Sequence, residues 1–145
     1  MDAGRVAYEI TDRIGYAHVL LSDAVDQVLG PRGISRSSGI ALAVLDAFPE
    51  GLSQAEWARL QGVTRQRAHT LTKQLGGEDL IRLEPRGREV LVALSPVGRR
   101  LVRSLAPRTR ARLATATARL SRREKRELHA LLGKLIGSLE EDLAG

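Results

Sequence analysis

Apolar residues in the first thirty positions recur at intervals of three and four: Val6, Ile10, Ile14, Ala17, Leu21, Ala24 and Val28. A period near 3.6 gathers them into one stripe, so a long amphipathic helix is predicted, closed by Gly30-Pro31-Arg32-Gly33. Ser37 to Phe48 is apolar nearly all round, the pattern of a buried helix, and Pro49-Glu50-Gly51 breaks it. The periods then shorten. Ser53 and Glu56 have capping-box spacing at the head of a short helix whose apolar side is Ala55, Trp57, Ala58 and Leu60. Trp57 is expected in the core. Gly62 ends that helix, Val63 plugs the turn, and Thr64 is an N-cap for a second helix from Arg65 to about Leu75. Two short helices across a tight glycine turn make a helix-turn-helix.

The sequence Gly76-Gly77-Glu78-Asp79 stops the second of these helices. The period then changes to two. Residues 80–84 and 89–94 read as strands, with Pro85-Arg86-Gly87-Arg88 between them, a β-hairpin with two arginines at its tip. Ser95-Pro96 is an N-cap followed by proline at the first helical position. The helix it opens carries Val97, Leu101, Leu105, Leu113 and Leu120, with Pro107 expected to kink or interrupt it. Ser121 and Glu124 form a second capping box. The last helix has a broad apolar face of Leu128, Leu131, Leu132, Leu135, Ile136, Leu139 and Leu143, with a GxxxG spacing at Gly133 and Gly137. That face cannot stand alone, and the first helix, from the same chain or a second one, is the expected cover. The fold class is mainly α (α+β): a winged helix-turn-helix with long helices on either side.

Charge sharpens the picture. The chain of 145 residues carries a formal net charge of +6, a balance that favours a polyanionic partner. Of its 23 Lys and Arg, 12 lie between Gly62 and Arg112 against 4 acids, leaving 11 against 13 acids elsewhere. The positive excess therefore sits on the helix-turn-helix, the hairpin and the start of the helix after it. On the helix from Arg65, Ala68, Leu71, Thr72 and Leu75 share the inward side at about 100° per residue. Gln66, His69, Thr70 and Lys73 lie opposite, with Arg65 and Arg67 on the flanks. Arg and amide side chains read base edges in a major groove, and an Arg-Gly-Arg tip suits a narrow minor groove. A winged-helix module whose basic face meets an acidic protein, or a protein that binds DNA without sequence preference, are the competing readings.

Other chemistry is thinly represented. There is no cysteine, so disulfides and thiol switches are excluded. His18, His69 and His129 have no neighbours at metal-ligand spacing, no catalytic set appears, and "GPRG" lacks the context of a phosphate loop. No metal, no cofactor and no enzymatic activity are expected. Neither a secretory leader nor an apolar run of about 18 residues is visible, so no membrane association and a cytoplasmic location are expected. The arginines from Arg99 to Arg112 read equally as phosphate neutralisers or as solvated helix surface.

The stretch "LSQAEWARLQGVTRQRAHTLTKQLGGEDLIRLEPRGREVLVALSPVGRRLV", with the "GIS" lead-in to the second helix and "LSRREKRELHALLGKL" near the end, resembles the MarR family of bacterial transcriptional regulators. The resemblance spans nearly the whole chain. It implies one domain over 1–145, with 37–95 as the DNA-binding lobe and 1–36 and 96–145 as dimerisation helices. It further implies a homodimer on palindromic double-stranded DNA, acting as a repressor. Carried over, Thr64, Arg65, Gln66, Arg67, His69, Thr70 and Lys73 would meet the major groove, Ser53 and Gln54 the phosphates, and Arg86 and Arg88 the wing's groove. Small aromatic effectors in such proteins bind between the dimerisation region and the lobe, where Tyr16 and His18 are the candidate ligand residues. The wing here is shorter than the family pattern and lacks its Asp-x-Arg element, which implies a shallower reach.

Overall fold

The computed structural model describes residues 2–145. Helix α1 spans Ala3–Leu29 and is followed by a single 3-10 turn at Gly30–Arg32. Helix α2 (Arg36–Asp46) leads to a two-residue strand β1 (Leu52–Ser53), then α3 (Gln54–Gln61) and α4 (Arg65–Gly77). Strands β2 (Ile81–Arg86) and β3 (Glu89–Leu94) form the hairpin, and α5 (Pro96–Ala116) and α6 (Arg122–Ala144) complete the chain. The sheet is antiparallel in the order β1-β3-β2. The predicted class is what is found: a small sheet and a helix-turn-helix between long flanking helices.

One core holds the central elements. Leu42 and Leu45 of α2, Trp57 of α3, Leu71 and Leu75 of α4, Ile81 of β2 and Val92 and Leu94 of β3 pack together, with Leu101 and Val102 of α5 at the edge. Trp57 is fully buried, as expected, and its indole Nε1–H donates to the Ala41 carbonyl at 3.0 Å, tying α3 to α2. In the hairpin, Ile81 pairs with Leu94 and Leu83 with Val92, so the alternate residues Arg82, Glu84 and Arg86 face the other way.

The helix ends follow from local chemistry. At the close of α3 the Val63 N–H donates to the Ala58 carbonyl and Gly62 is left-handed (φ 69°), a Schellman turn that sends half-buried Val63 into the core. The same motif ends α4. Leu80 N–H donates to Leu75 O, Asp79 N–H to Gly76 O, and Asp79 takes the left-handed position (φ 59°). The helix thus runs two residues past Leu75, through both glycines.

Three other expectations are corrected, and one strand was not foreseen. Only half of the first capping box forms: Ser53 accepts from the Glu56 N–H, but the Glu56 carboxylate turns to Arg59. The Ser121–Glu124 box is complete. Pro107 does not interrupt α5. It lies on the exposed side, as does Arg103, whose carbonyl loses its helical donor there. Helix α2 is not buried all round, since Ile40 is exposed. Strand β1 is too short for a periodicity to announce it.

The long helices are unevenly covered. Helix α1 packs on α5 through its C-terminal part, where Ser22, Ala24 and Leu29 are buried and Arg112 Nε donates to Gln27 Oε1 at 2.9 Å. Towards its N-terminus, Ile10, Ile14 and Leu21 are exposed. No residue of α6 is buried. No helix is long and apolar enough to cross a membrane among the described residues.

Candidate nucleic-acid interface

Helix α4 begins where Thr64 Oγ1 accepts the Arg67 N–H at 3.1 Å, and its inward side chains Ala68, Leu71 and Leu75 are wholly buried. That anchorage forces the other face outwards. Arg65, Gln66, Arg67, His69, Thr70 and Lys73 are all exposed. No acid occurs between Glu56 and Glu78, and none of Arg65, Arg67 and Lys73 forms an ion pair among the described residues. A solvated helix often pairs charges of opposite sign at spacings of three and four; this one presents basic and neutral polar groups and no acid. Thr70 differs from its neighbours, since its hydroxyl donates to the Gln66 carbonyl at 3.1 Å.

Ser53 and Gln54 stand at the start of α3 with part of their hydrogen-bonding capacity already engaged. The Ser53 hydroxyl caps the helix, and the Gln54 amide donates to Thr72 Oγ1 at 2.8 Å. Thr72 in turn donates to the Ala68 carbonyl. This relay locks α3 against α4, and so sets the presentation of the basic face. Sequence reading missed it, because Thr72 shares its spacing with the core residues around it.

The wing ends in a tight turn. Arg86 pairs with Glu89, which leaves Gly87 and Arg88 as a two-residue loop. Gly87 alone has positive φ (62°), the pattern of a type II′ turn, which wants glycine at its first central position. Pro85 is tolerated because β2 is an edge strand. Arg86 and Arg88 are exposed and unpaired among the described residues.

A cavity of about 310 Å3 lies between α1, α2 and α5. Its wall is aliphatic, with Val25, Leu29, Ile40, Leu42, Val102 and Leu105, while Asp46 and Arg110 add one charge of each sign. Gly39, Ala43 and Ala106 line it with short side chains, and Gly39 gives Leu29 its room, since a Cβ there would lie 2.6 Å from Leu29 Cδ1. Those small residues were the available sequence signal. Tyr16 and His18 do not line this cavity; both are exposed on α1. No three His, Asp or Glu side chains converge as a metal site among the described residues.

An ion-pair latch spans two walls of that cavity. The Arg36 guanidinium at the start of α2 binds the Asp26 carboxylate through Nε at 3.1 Å and through Nη2, and reaches Asp23 at 3.3 Å. The hydrogen bonds from Arg36 hold the Asp26 carboxyl below the usual carboxylate pKa, and Asp26 in turn raises that of Arg36. A carboxyl lowered on folding stabilises the fold above its unfolded pKa of about 4, and the contribution is lost as pH falls through the lower folded value. Asp26→Asn is therefore expected to flatten the acid limb of melting temperature against pH below about pH 4 and to leave the neutral limb's shape unchanged. Identical acid limbs in the two proteins would remove Asp26 from that role.

No protein-family model and no curated protein sequence matches the chain. Solved structures do. A Rhodococcus MarR family transcriptional regulator superposes with a TM-score of 0.79 at 21% identity, covering 89% of this chain and 93% of that one, which shows the fold. A Mycobacterium tuberculosis MarR family protein is 30% identical, with a TM-score of 0.67. Its salicylic acid complex covers 93% of this chain and 96% of that one, and its DNA complex 93% and 98%. That identity spans nearly the full length of both chains, on the helix-turn-helix, wing and flanking helices described above. The protein therefore belongs to the MarR family of transcriptional regulators.

Proposed function

We propose that the protein is a homodimeric repressor that binds double-stranded DNA sequence-specifically at a pseudo-palindrome and occupies a promoter. The observation that carries this reading is the outward face of α4. Every side chain there is basic or neutral polar, and its arginines and lysine have no ion-pair partner among the described residues. Arg65, Gln66, Arg67, His69 and Lys73 read or steer towards base edges, with Thr64 and Thr70 beside them, Ser53 and Gln54 near phosphate, and Arg86 and Arg88 at the adjacent minor groove. The solved DNA complex of the 30%-identical relative supports the reading. Incubation with sheared genomic DNA and sequencing of the bound fragments tests it. One enriched inverted repeat, with half-site centres about 10 bp apart, is expected; recovery without any enriched sequence would refute specific recognition.

The two basic elements divide the work. Arg67→Ala is expected to cost about 1–3 kcal/mol on the preferred site and to relax base preference at one position. Arg86→Ala weakens operator and unrelated duplexes by similar factors, because a wing-tip arginine contributes mainly charge. Competition binding against a library of single-base operator variants separates the two outcomes. Equal loss of specificity in both variants contradicts the division.

The cavity between α1, α2 and α5 is the proposed effector site. Its volume and aliphatic wall suit one small aromatic molecule, and the relative with 30% identity was solved with salicylic acid. A ligand wedged between helices on both sides of the Arg36 latch would change the angle between α1 and the basic face, and so lower DNA affinity. Tyr16 and His18 lie outside the wall within one chain, so a ligand role for them requires a second copy to bring them there.

A further inference from the structure

The charge on α5 is not explained by the α4 face or by the wing tip. No Asp or Glu lies between Glu89 and Glu124, and nine arginines do. Arg99, Arg100 and Arg103 occupy one flank of the first turns of α5 and, with Arg82 of β2, surround a cavity of about 240 Å3 floored by Leu94 and Pro96. Local electrostatics opposes this arrangement. Arg99 closes the first turn, where the helix dipole disfavours a cation, and Arg99 and Arg103 are like charges at i,i+4. Neither they nor Arg100 has an acidic partner among the described residues, and no acid lies in the first turn. Only Arg82 is paired, with Glu84 at 2.8 Å.

Position supplies the second argument. Arg82 and Arg86 project from the same face of β2, four residues or about 13 Å apart at the rise of a strand. A cationic row thus descends from the tip, Arg88 and Arg86, to Arg82 and the arginines of α5. Two acids share this face of the hairpin: Glu84, whose carboxylate is turned to Arg82, and Glu89 of β3 at the tip opposite Arg86; neither lies against the arginines of α5 among the described residues.

We propose that Arg82, Arg99, Arg100 and Arg103 form a phosphate-binding cleft at the root of the wing, which holds the DNA backbone beyond the reach of the tip. The proposal rests on the DNA-binding reading and adds a third DNA-facing surface to it. The cleft carries no base preference, since guanidinium groups meeting phosphate position a duplex without reading it. An occupying phosphate also offsets the repulsion that the arginines otherwise impose on α5.

The test compares the wild-type protein with R99Q/R103Q and with R119Q/R122Q. The second pair removes the same charge beyond the far end of α5, whose 21 residues span roughly 30 Å. Affinity for an operator and for an unrelated duplex is measured across salt concentrations. R99Q/R103Q is expected to flatten the dependence of log K on log salt by about 0.9 for each phosphate that it no longer neutralises and to weaken both duplexes by the same factor. R119Q/R122Q keeps the wild-type slope. R99Q/R103Q should also melt at the wild-type temperature or above, because its repulsion is relieved. An unchanged slope in R99Q/R103Q overturns the proposal. So does calorimetric binding of pyrophosphate that R99Q/R103Q abolishes while the DNA slope stays unchanged, which would make the cleft a site for a small phosphorylated ligand. Failure of the wild-type protein to bind any duplex refutes the DNA-binding reading itself, and the cleft's assignment falls with it; normal wild-type binding with an unaltered variant slope refutes the cleft alone.

Discussion

Leu132→Glu together with Leu135→Glu should convert the protein to a monomer of 15.8 kDa and reduce operator affinity by two orders of magnitude or more. The apolar stripe of α6 joins Leu128, Leu132, Leu135 and Leu139, each between 37% and 49% exposed, to Leu131, Ile136 and Leu143, which are exposed further. None of them is buried among the described residues. Most helical stability in proteins comes from tertiary packing of an amphipathic face, so α6 needs an apolar partner to persist. The bare stretch of α1, with Ile10, Ile14 and Leu21, offers a surface of the same kind. A second copy would supply both faces at once. Burying each leucine contributes about 1.5–3 kcal/mol relative to full exposure, and two glutamates in the middle of the stripe reverse that gain. The DNA consequence follows from linkage: two lobes held at a fixed spacing bind 10²–10⁴-fold more tightly, as an order of magnitude, than either alone. Light scattering and operator titration check the two parts. Lys134→Glu, on the opposite side of α6, should leave both unchanged. A wild-type protein that is already monomeric, or a double variant that remains dimeric, would defeat the argument.

The elements that periodicity and punctuation mark were legible in the sequence. The stripe from Val6 to Val28, the Gly62–Thr64 turn, the Ser95-Pro96 start and the Arg-Gly-Arg hairpin each rest on one local signal, and each appears in the fold. The exposed basic side of α4 was legible too, because Ala68, Leu71 and Leu75 determine which face turns inwards. Features made by two distant segments were hidden. The Gln54–Thr72 bond, the latch from Arg36 to Asp26 and the Arg82–Arg99–Arg103 cleft each join residues 10 or more apart, with no periodicity to link them. The cavity between α1, α2 and α5 has an aliphatic wall with small residues at Gly39, Ala43 and Ala106, and Tyr16 and His18, singled out in the sequence, do not line it. Small residues in a sequence read as tolerated packing until the facing helix shows that nothing fills the gap.

Gly98→Ala should destabilise the protein by about 3 kcal/mol or more, at or beyond the upper end of ordinary overpacking. A Cβ added at Gly98 would lie 1.9 Å from the Leu80 carbonyl oxygen and 2.9 Å from its carbon. Both obstacles are backbone, so no rotamer change relieves them. The neighbourhood is also tied down. The Leu80 N–H ends α4 by donating to Leu75 O, and the Leu80 carbonyl accepts the Ser95 N–H at 3.1 Å. The Ser95 hydroxyl donates to Asp79 O at 2.6 Å and accepts the Gly98 N–H at 2.9 Å. Four segment ends, from α4, β2, β3 and α5, meet at this knot. Making room at Gly98 therefore means moving α5 away from the wing, which would also pull Arg99 and Arg103 from Arg82. In a chain of this size the loss corresponds to a fall in melting temperature of roughly 10 °C. Gly76→Ala is the contrast, since its added Cβ meets nothing within 4 Å; it replaces a helical glycine and should stabilise by up to about 1 kcal/mol. Thermal melts of the two variants should therefore move in opposite directions. A Gly98→Ala protein that melts with the wild type would mean the knot can open without cost, and that the spacing between wing and α5 is set elsewhere.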